Sequence, residues 1–249
     1  MRVYIYDSFL NQKKYDRLLA QIETRLTDLD LNGKISRLSI MKNIKEVVAD
    51  ELKRGASTII AVGNNKIVNQ IINSLANFNI PLGIIPIQDE NNSIAKSLGI
   101  NDELTACEIL SARRIAKIDL GLANNSYFLS TAMVPSRGTT LEISKNYAIE
   151  ILEPGKIKIF NLPPADGCLL TKKKVSPQDG TLELMIETGT NAKFFNKPIG
   201  RSVFLLKKAL IKNAKFPVLL DNTVPLIPPV EFSVVKQKLK LIVGKNRKF

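Results

Sequence analysis

The run Ile59-Ile60-Ala61-Val62-Gly63-Asn64-Asn65-Lys66-Ile67-Val68-Asn69-Gln70-Ile71-Ile72-Asn73-Ser74-Leu75 holds the residues best placed for chemistry. It reads as a buried strand, a polar turn and a helix, and such a junction aims backbone N–H groups at an anion over the helix N-terminus. Val68, Ile71, Ile72, Leu75 and Ala76 form a one-sided apolar stripe that gives the helix its inner face. Gly63, Asn64, Asn65, Lys66 and Asn69 are the candidate phosphate contacts. Lys66 either meets a phosphate as a point charge or fills the pocket itself. Asn tolerates left-handed backbone better than most residues, so Asn64 and Asn65 can keep a tight turn. Taken alone, the same run also fits a plain strand–loop–helix with no ligand.

The sequence contains no histidine, so His-based triads and His-rich metal sites are excluded. A general base must then be a carboxylate, lysine, cysteine or tyrosine with a shifted pKa. Cys107 and Cys168 are too few for a disulfide framework or a zinc cluster, and both read as structural. There is no tryptophan and aromatic residues are 6%, which argues against single-stranded nucleic-acid binding by base stacking. The net charge of +13 suits anionic partners, or simply a lysine-rich solvated surface. Lys236, Lys238 and Lys240 alternate along a terminal strand, either as a solvated edge or as a basic stripe facing a membrane. No apolar run approaches the roughly 20 residues that span a bilayer, and no signal-peptide core follows Met1. A cytoplasmic protein is expected.

The elements that must hold the turn alternate strand and helix as far as about Arg113. Val3–Tyr6 is strand-like, and Leu18, Leu19, Ile22, Leu26 and Leu29 recur at helical spacing. Ile44, Val47, Val48 and Leu52 mark another helix, closed by Gly55 as a C-cap glycine. The β-branched run Thr58–Val62 and the run Pro81–Pro86 read as strands covered on both faces. This order predicts an open, mostly parallel sheet. Beyond it, two-residue alternation at Lys156–Ile159, Leu182–Leu184 and Lys236–Leu241, broken by Pro/Gly turns, predicts a β-sandwich. The expected organisation is an α/β nucleotide-binding-type domain at 1–112 and a β-sandwich domain at 113–249, with a cleft between them.

Several of these segments resemble, in order, the diacylglycerol kinase catalytic-domain family of the NAD-kinase-like superfamily. That family reads Gly-Gly-Asp-Gly-Thr where this chain has Gly63-Asn64-Asn65-Lys66-Ile67, and the following Val68, Asn69, Asn73 and Leu75 keep its frame. Asn92-Ser93-Ile94-Ala95-Lys96-Ser97-Leu98-Gly99-Ile100 is similar to its Asn-Asp-Phe-Ala-Arg-Ser-Leu-Gly-Ile, although Gln88-Asp89-Glu90-Asn91 replaces the preceding Gly-Thr. Ile118-Asp119-Leu120-Gly121 and Tyr127-Phe128 look like the family's crossing into its second domain. Val175-Ser176-Pro177-Gln178-Asp179-Gly180-Thr181-Leu182-Glu183-Leu184 matches its Ala-Ser-Pro-x-Asp-Gly-x-Leu-Asp-Val hairpin. Asp221-Asn222-Thr223 sits where the family has Asp-Gly-Glu.

The resemblance implies an ATP- and Mg2+-dependent phosphorylation of a lipid hydroxyl. Asn92 would serve the nucleotide and Asp179 the metal, although Asp179-Gly180 fits an ordinary hairpin turn equally well. The family's proton acceptor maps to Thr223, which cannot take that proton at neutral pH, so Asp221 is the remaining catalytic carboxylate. The implied reading is a diverged lipid kinase, weak or inactive in catalysis. The alternative is a non-catalytic scaffold or regulator for a protein, an anionic membrane or nucleic acid. Expected partners are a nucleotide, a lipid, peripheral anionic membrane and a second copy as homodimer, with no sequence-specific nucleic-acid binding.

Overall fold

The computed structural model describes residues 1–39, 43–87, 92–143, 147–164, 175–189 and 200–249. In chain order the first elements are β1 (Arg2–Tyr6), α1 (Asp16–Asp28), β2 (Lys34–Arg37), α2 (Ile44–Lys53), β3 (Thr58–Gly63), α3 (Asn65–Leu75), β4 (Pro81–Pro86), α4 (Ser93–Ser97) and α5 (Glu103–Ala112). The β-rich remainder comprises β5 (Ile115–Ala123), β6 (Ser126–Phe128), β7 (Thr131–Pro135), β8 (Thr139–Ile143), β9 (Tyr147–Ile151), β10 (Gly155–Phe160), β11 (Leu182–Thr188), β12 (Gly200–Leu206), β13 (Lys208–Asn213), β14 (Val218–Leu220), β15 (Val224–Leu226) and β16 (Val230–Ile242). Two compact units result: Met1–Ile118 with Gln237–Lys248, and Asp119–Lys236 with Phe249.

The first unit is an open parallel sheet in the order β2-β1-β3-β4, with the end of β16 added in parallel beside β4. β3 and β4 are buried along their whole length, as expected of strands covered by helices on both faces. α1 packs with α5 and α2 with α3, which is the pairing that right-handed crossovers produce when the winding direction reverses. Local signals fix the helix ends. The Asn43 side chain accepts from Lys45 N at the start of α2. At its end Gly55 has φ +86, and the amides of Gly55 and Ala56 donate to Leu52 and Glu51.

The second unit is a β-sandwich. One sheet runs β12-β11-β10-β7-β14-β15, and the other contains the first part of β16 with β13, β8 and β9, plus the β5–β6 hairpin. Inward residues of both sheets, including Val134, Ile157 and Leu184 from one and Leu141, Ile211 and Phe232 from the other, share a single apolar core. Phe128 meets Phe232 edge-on, with ring centroids 6.0 Å apart. It also lies against its cross-strand neighbour Gly121, where an added Cβ would fall 2.1 Å from the ring.

The chain passes between the units in β5 and again in β16, where the division falls between Lys236 and Gln237. Gln237 has φ 47, a left-handed residue inside a long strand. Before it, Val230, Phe232 and Val234 face the sandwich core; after it, the odd-numbered Leu239 and Leu241 are the buried ones. The parity of the buried positions thus changes at this left-handed residue, as it does at a bulge. Of the lysines expected to alternate here, Lys236 is exposed and belongs to the second unit, while Lys238 Nζ in the first donates to Asn77 Oδ1 at 3.3 Å.

Candidate functional site

β1 lies inside the first sheet with β2 on one side and β3 on the other. The winding therefore reverses between β1 and β3, and in open α/β sheets ligands bind beyond the carboxyl ends of the strands at that point. Those ends are Asp7 and Gly63. The Asp7 amide donates to Val62 O at 3.0 Å, and Gly63 O accepts from Ile87 N at 2.9 Å. Gly63 has φ +151, and a Cβ there would lie 2.9 Å from Ile67 Cγ2 and 3.0 Å from Asp7 Cβ. Only glycine fits, because both the backbone angle and the packing exclude a side chain.

Asn64 is the N-cap of α3, and its Oδ1 accepts from Lys66 N at 2.9 Å. This cap engages one of the donors that a phosphate would otherwise use. Lys66 is exposed at the same helix end. Asn65 is buried: its Nδ2 donates to Ser93 Oγ at 2.9 Å and its Oδ1 accepts from Ile94 N at 3.4 Å. It thus ties the head of α3 to α4, and its amide is committed to structure. Asn92, also buried, precedes α4, and its carbonyl accepts from Lys96 N at 3.1 Å. Asn69 lies a turn further along α3, buried, with its Oδ1 accepting from Asn73 Nδ2 at 3.2 Å. Gln88–Asn91, which replaces the family's Gly-Thr, lies outside the described residues.

The sequence reading missed Asp7. It is partly exposed, adjoins Gly63, and accepts from Ser8 Oγ at 3.3 Å. The available signal was an acid ending the first parallel strand, a position that belongs to the ligand edge of such a sheet. Among the described residues, this edge of the sheet therefore brings together a helix N-terminus, the Lys66 ammonium and the Asp7 carboxylate.

Asp179 and Asp221 belong to the second unit and are joined by a buried polar chain. Asp179 Oδ1 accepts from Thr181 N at 3.0 Å and Thr181 Oγ1 at 2.6 Å, while the next amide, Gly180 N, donates to Asp119 Oδ2 at 2.7 Å. Asn161 Nδ2 bridges the carbonyls of Asp119 and Leu129 at 2.9 and 2.8 Å. Leu129 N in turn donates to Asp221 Oδ2 at 2.8 Å, and Ser130 N and Thr131 N donate to Asp221 Oδ1 at 2.7 and 2.9 Å. Asp221 is 1% exposed. With both oxygens engaged by backbone, it anchors the turn between β6 and β7 and is poorly placed to take a substrate proton. Thr223 closes the β14–β15 turn, its amide and hydroxyl both donating to Leu220 O at 2.8 and 3.3 Å. Asn161 carried no sequence signal beyond its place in a proline-rich turn.

Among the described residues no three His, Cys, Asp or Glu side chains stand together as a metal site. Cys107 is buried on α5, where burial pushes its thiol up to about 11. Cys168 lies outside the described residues.

Residues 3–123 match the diacylglycerol kinase catalytic domain. No curated protein matches the chain. Among solved structures, a putative diacylglycerol kinase from Bacillus anthracis str. Sterne superimposes with a TM-score of 0.76 at 15% identity, over 99% of this chain and 98% of that one. Another structure, described as a diacylglycerol kinase of the same organism, gives 0.78 at 16% identity, over 99% and 97%. At such identities the structural likeness is one of fold. The resemblance read from the motifs therefore stands: residues 3–123 match the diacylglycerol kinase catalytic domain, and the chain shares the fold of these structures along 99% of its length.

Proposed function

We propose that this protein is a diverged lipid kinase that binds a nucleotide or another phosphate-bearing ligand at the head of α3, with phosphoryl transfer to a lipid hydroxyl weak or lost. The observation that carries the loss is the turn at 221–223. The implied base position is a threonine whose hydroxyl donates to Leu220 O, and the carboxylate two residues earlier, Asp221, is held by three backbone amides. Gly63, the α3 N-terminus and Lys66 support anion binding. Asn64, by capping the helix, leaves fewer donors for a triphosphate than the Gly-Gly-Asp-Gly-Thr loop it replaces.

Magnesium is commonly held by one or two carboxylates together with substrate phosphates. Asp7 is the carboxylate that adjoins Gly63. Asp179, implied for the metal by resemblance, uses Oδ1 within its own turn. When bound, the ion would neutralise phosphate charge beside Asp7. Titration calorimetry with ATP, ADP and NAD, with and without Mg2+, tests this reading. The expected result is nucleotide binding that Mg2+ strengthens and Lys66→Ala weakens about tenfold or more, the loss of one charged contact. Failure of all three ligands to bind refutes the nucleotide reading.

A second reading, a non-catalytic scaffold or regulator, is favoured by the same 221–223 turn and by the net charge of +13. It keeps the fold without the chemistry and recruits an anionic surface or a protein. No helix among the described residues is long and apolar enough to cross a membrane.

A further inference from the structure

Four loops of the second unit converge at one end of the sandwich. The turn 136–138 is tied to the turn after β9 by Ser136 Oγ donating to Glu153 O at 2.8 Å and Gly138 N donating to Ile151 O at 3.2 Å. Arg137 and Gly138 share one surface hollow with Lys215 and Phe216. Gly138 shares a second with Pro228 and Pro229. At this end three large apolar side chains stand in solvent on three different loops: Ile227 is 86% exposed, Leu152 74% and Phe216 42%.

Single exposed apolar residues are ordinary, but three converging on loop tips at one end mark a contact surface. The loops are held in shape. Asn213 Oδ1 accepts from the amides of Lys215 and Phe216 at 2.8 and 2.9 Å, and its Nδ2 donates to Thr139 Oγ1 at 2.6 Å. Prolines at 154, 217, 228 and 229 flank the three apolar residues. Stiff tips lose little freedom on contact. Arg137 and Lys215 are exposed and make no ion pair among the described residues, whereas Lys212 pairs with Glu142 at 2.6 Å. Glu153 is the exposed acid on these turns and offsets part of that charge.

We propose that this end of the sandwich docks on an anionic lipid surface, with Leu152, Phe216 and Ile227 entering the headgroup boundary and Arg137 and Lys215 meeting lipid phosphates. Apolar groups on separate tips, with cations on two of the four loops, match a deformable interface of anionic headgroups better than the continuous complementary patch a protein partner requires. The assignment rests on the second unit alone and is independent of nucleotide binding.

The absence of tryptophan makes the test direct. Ile227→Trp and Leu152→Trp each introduce a single fluorophore at the surface, and Phe78→Trp, at an exposed site in the first unit, is the control. Vesicles of phosphatidylcholine with one third phosphatidylglycerol should sediment the protein and shift the emission of the two tip variants to the blue, leaving the control unchanged. Ile227→Asp with Leu152→Asp should lower vesicle affinity at least tenfold with an unchanged melting temperature. Arg137→Glu with Lys215→Glu should lower it by a similar factor and flatten its salt dependence, since each cation near such a surface contributes about fivefold. No sedimentation, or sedimentation without a tip shift, overturns the assignment. A blue shift that depends on protein concentration without vesicles overturns it too, in favour of self-association.

Discussion

Replacing Asp221 by asparagine would leave one carbonyl oxygen where three backbone amides now converge on two. Hydrogen bonds to a charged group contribute about 1.5–3 kcal/mol, and an orphaned buried donor costs a similar amount. Asp221→Asn should therefore destabilise the second unit by about 2–4 kcal/mol in urea denaturation. A catalytic carboxylate with no structural role would leave the denaturation midpoint in place. At the α3 head the expectation is different. Asn64→Ala should cost about 1 kcal/mol as a lost cap, and Asn64→Gly only a few tenths. Lys66→Ala should leave stability unchanged, because its side chain is exposed. Cys107, buried and with its thiol pushed up, should resist iodoacetamide at pH 8 in the native protein and react once the chain is unfolded.

At the scale of elements, α5 offers a pH-dependent test. Asp102 Oδ1 accepts from Thr105 N at 2.7 Å, and this bond, reinforced by the Thr105 hydroxyl, holds its carboxyl below its ordinary 3.8. A depressed folded pKa gives stability that is present above 3.8 and lost as pH falls through the folded value. Asp102→Asn should keep most of the cap and remove that acid-side dependence, whereas Asp102→Ala should lose about 1 kcal/mol at neutral pH. In β16, Gln237→Gly should be neutral or stabilising, since glycine carries no penalty at φ 47, and Gln237→Val should destabilise. An ordinary extended strand at 237 would give the reverse order.

These elements also show what the sequence could display. Apolar spacing made the helices and the parallel strands legible, because burial on a face leaves a periodic trace. The left-handed residue in β16 left none, since Lys236-Gln237-Lys238 alternates in composition just as an unbroken strand would. The return of 237–248 to the first unit was hidden for a related reason: strand partners distant in sequence leave no local signal. At the site, Gly63 was readable as turn chemistry, but Asn64, expected as a left-handed turn residue, is an extended helix cap, and the commitment of Asn65 to Ser93 and of Asp221 to backbone amides depends on tertiary neighbours.

For the whole molecule, the lack of histidine removes the side chain that ordinarily titrates between pH 5 and 8. Among the described residues, the groups raised on the alkaline side, Cys107, Tyr4 and Tyr6, lie in the first unit. Burial raises Cys107 from 9.0 to about 11 and Tyr4 from 10.0 to about 12, and raises Tyr6 further still. The folded state holds these protons longer than the unfolded chain, so stability present below about pH 9 is lost as pH rises through 9–12. Thermal melts should fall steeply across that window and change little between pH 6 and 8.

The central claim is that a lipid-kinase fold has kept its anion site and lost its base. General-base help is worth about 10²–10⁴-fold, and a misplaced transferred group can cost about 10²-fold more. The direct measurement is transfer of radiolabelled phosphate from ATP to diacylglycerol in mixed vesicles with Mg2+, wild type beside Thr223→Glu. The account predicts a wild-type rate about 10⁴–10⁶-fold below the roughly 1–100 per second typical of kinases, from the two losses together, and a gain of up to about 10²-fold from the restored carboxylate. A wild-type rate of about one turnover per second or more, in the range typical of kinases, would contradict it and return Asp221 or another carboxylate to the role of base.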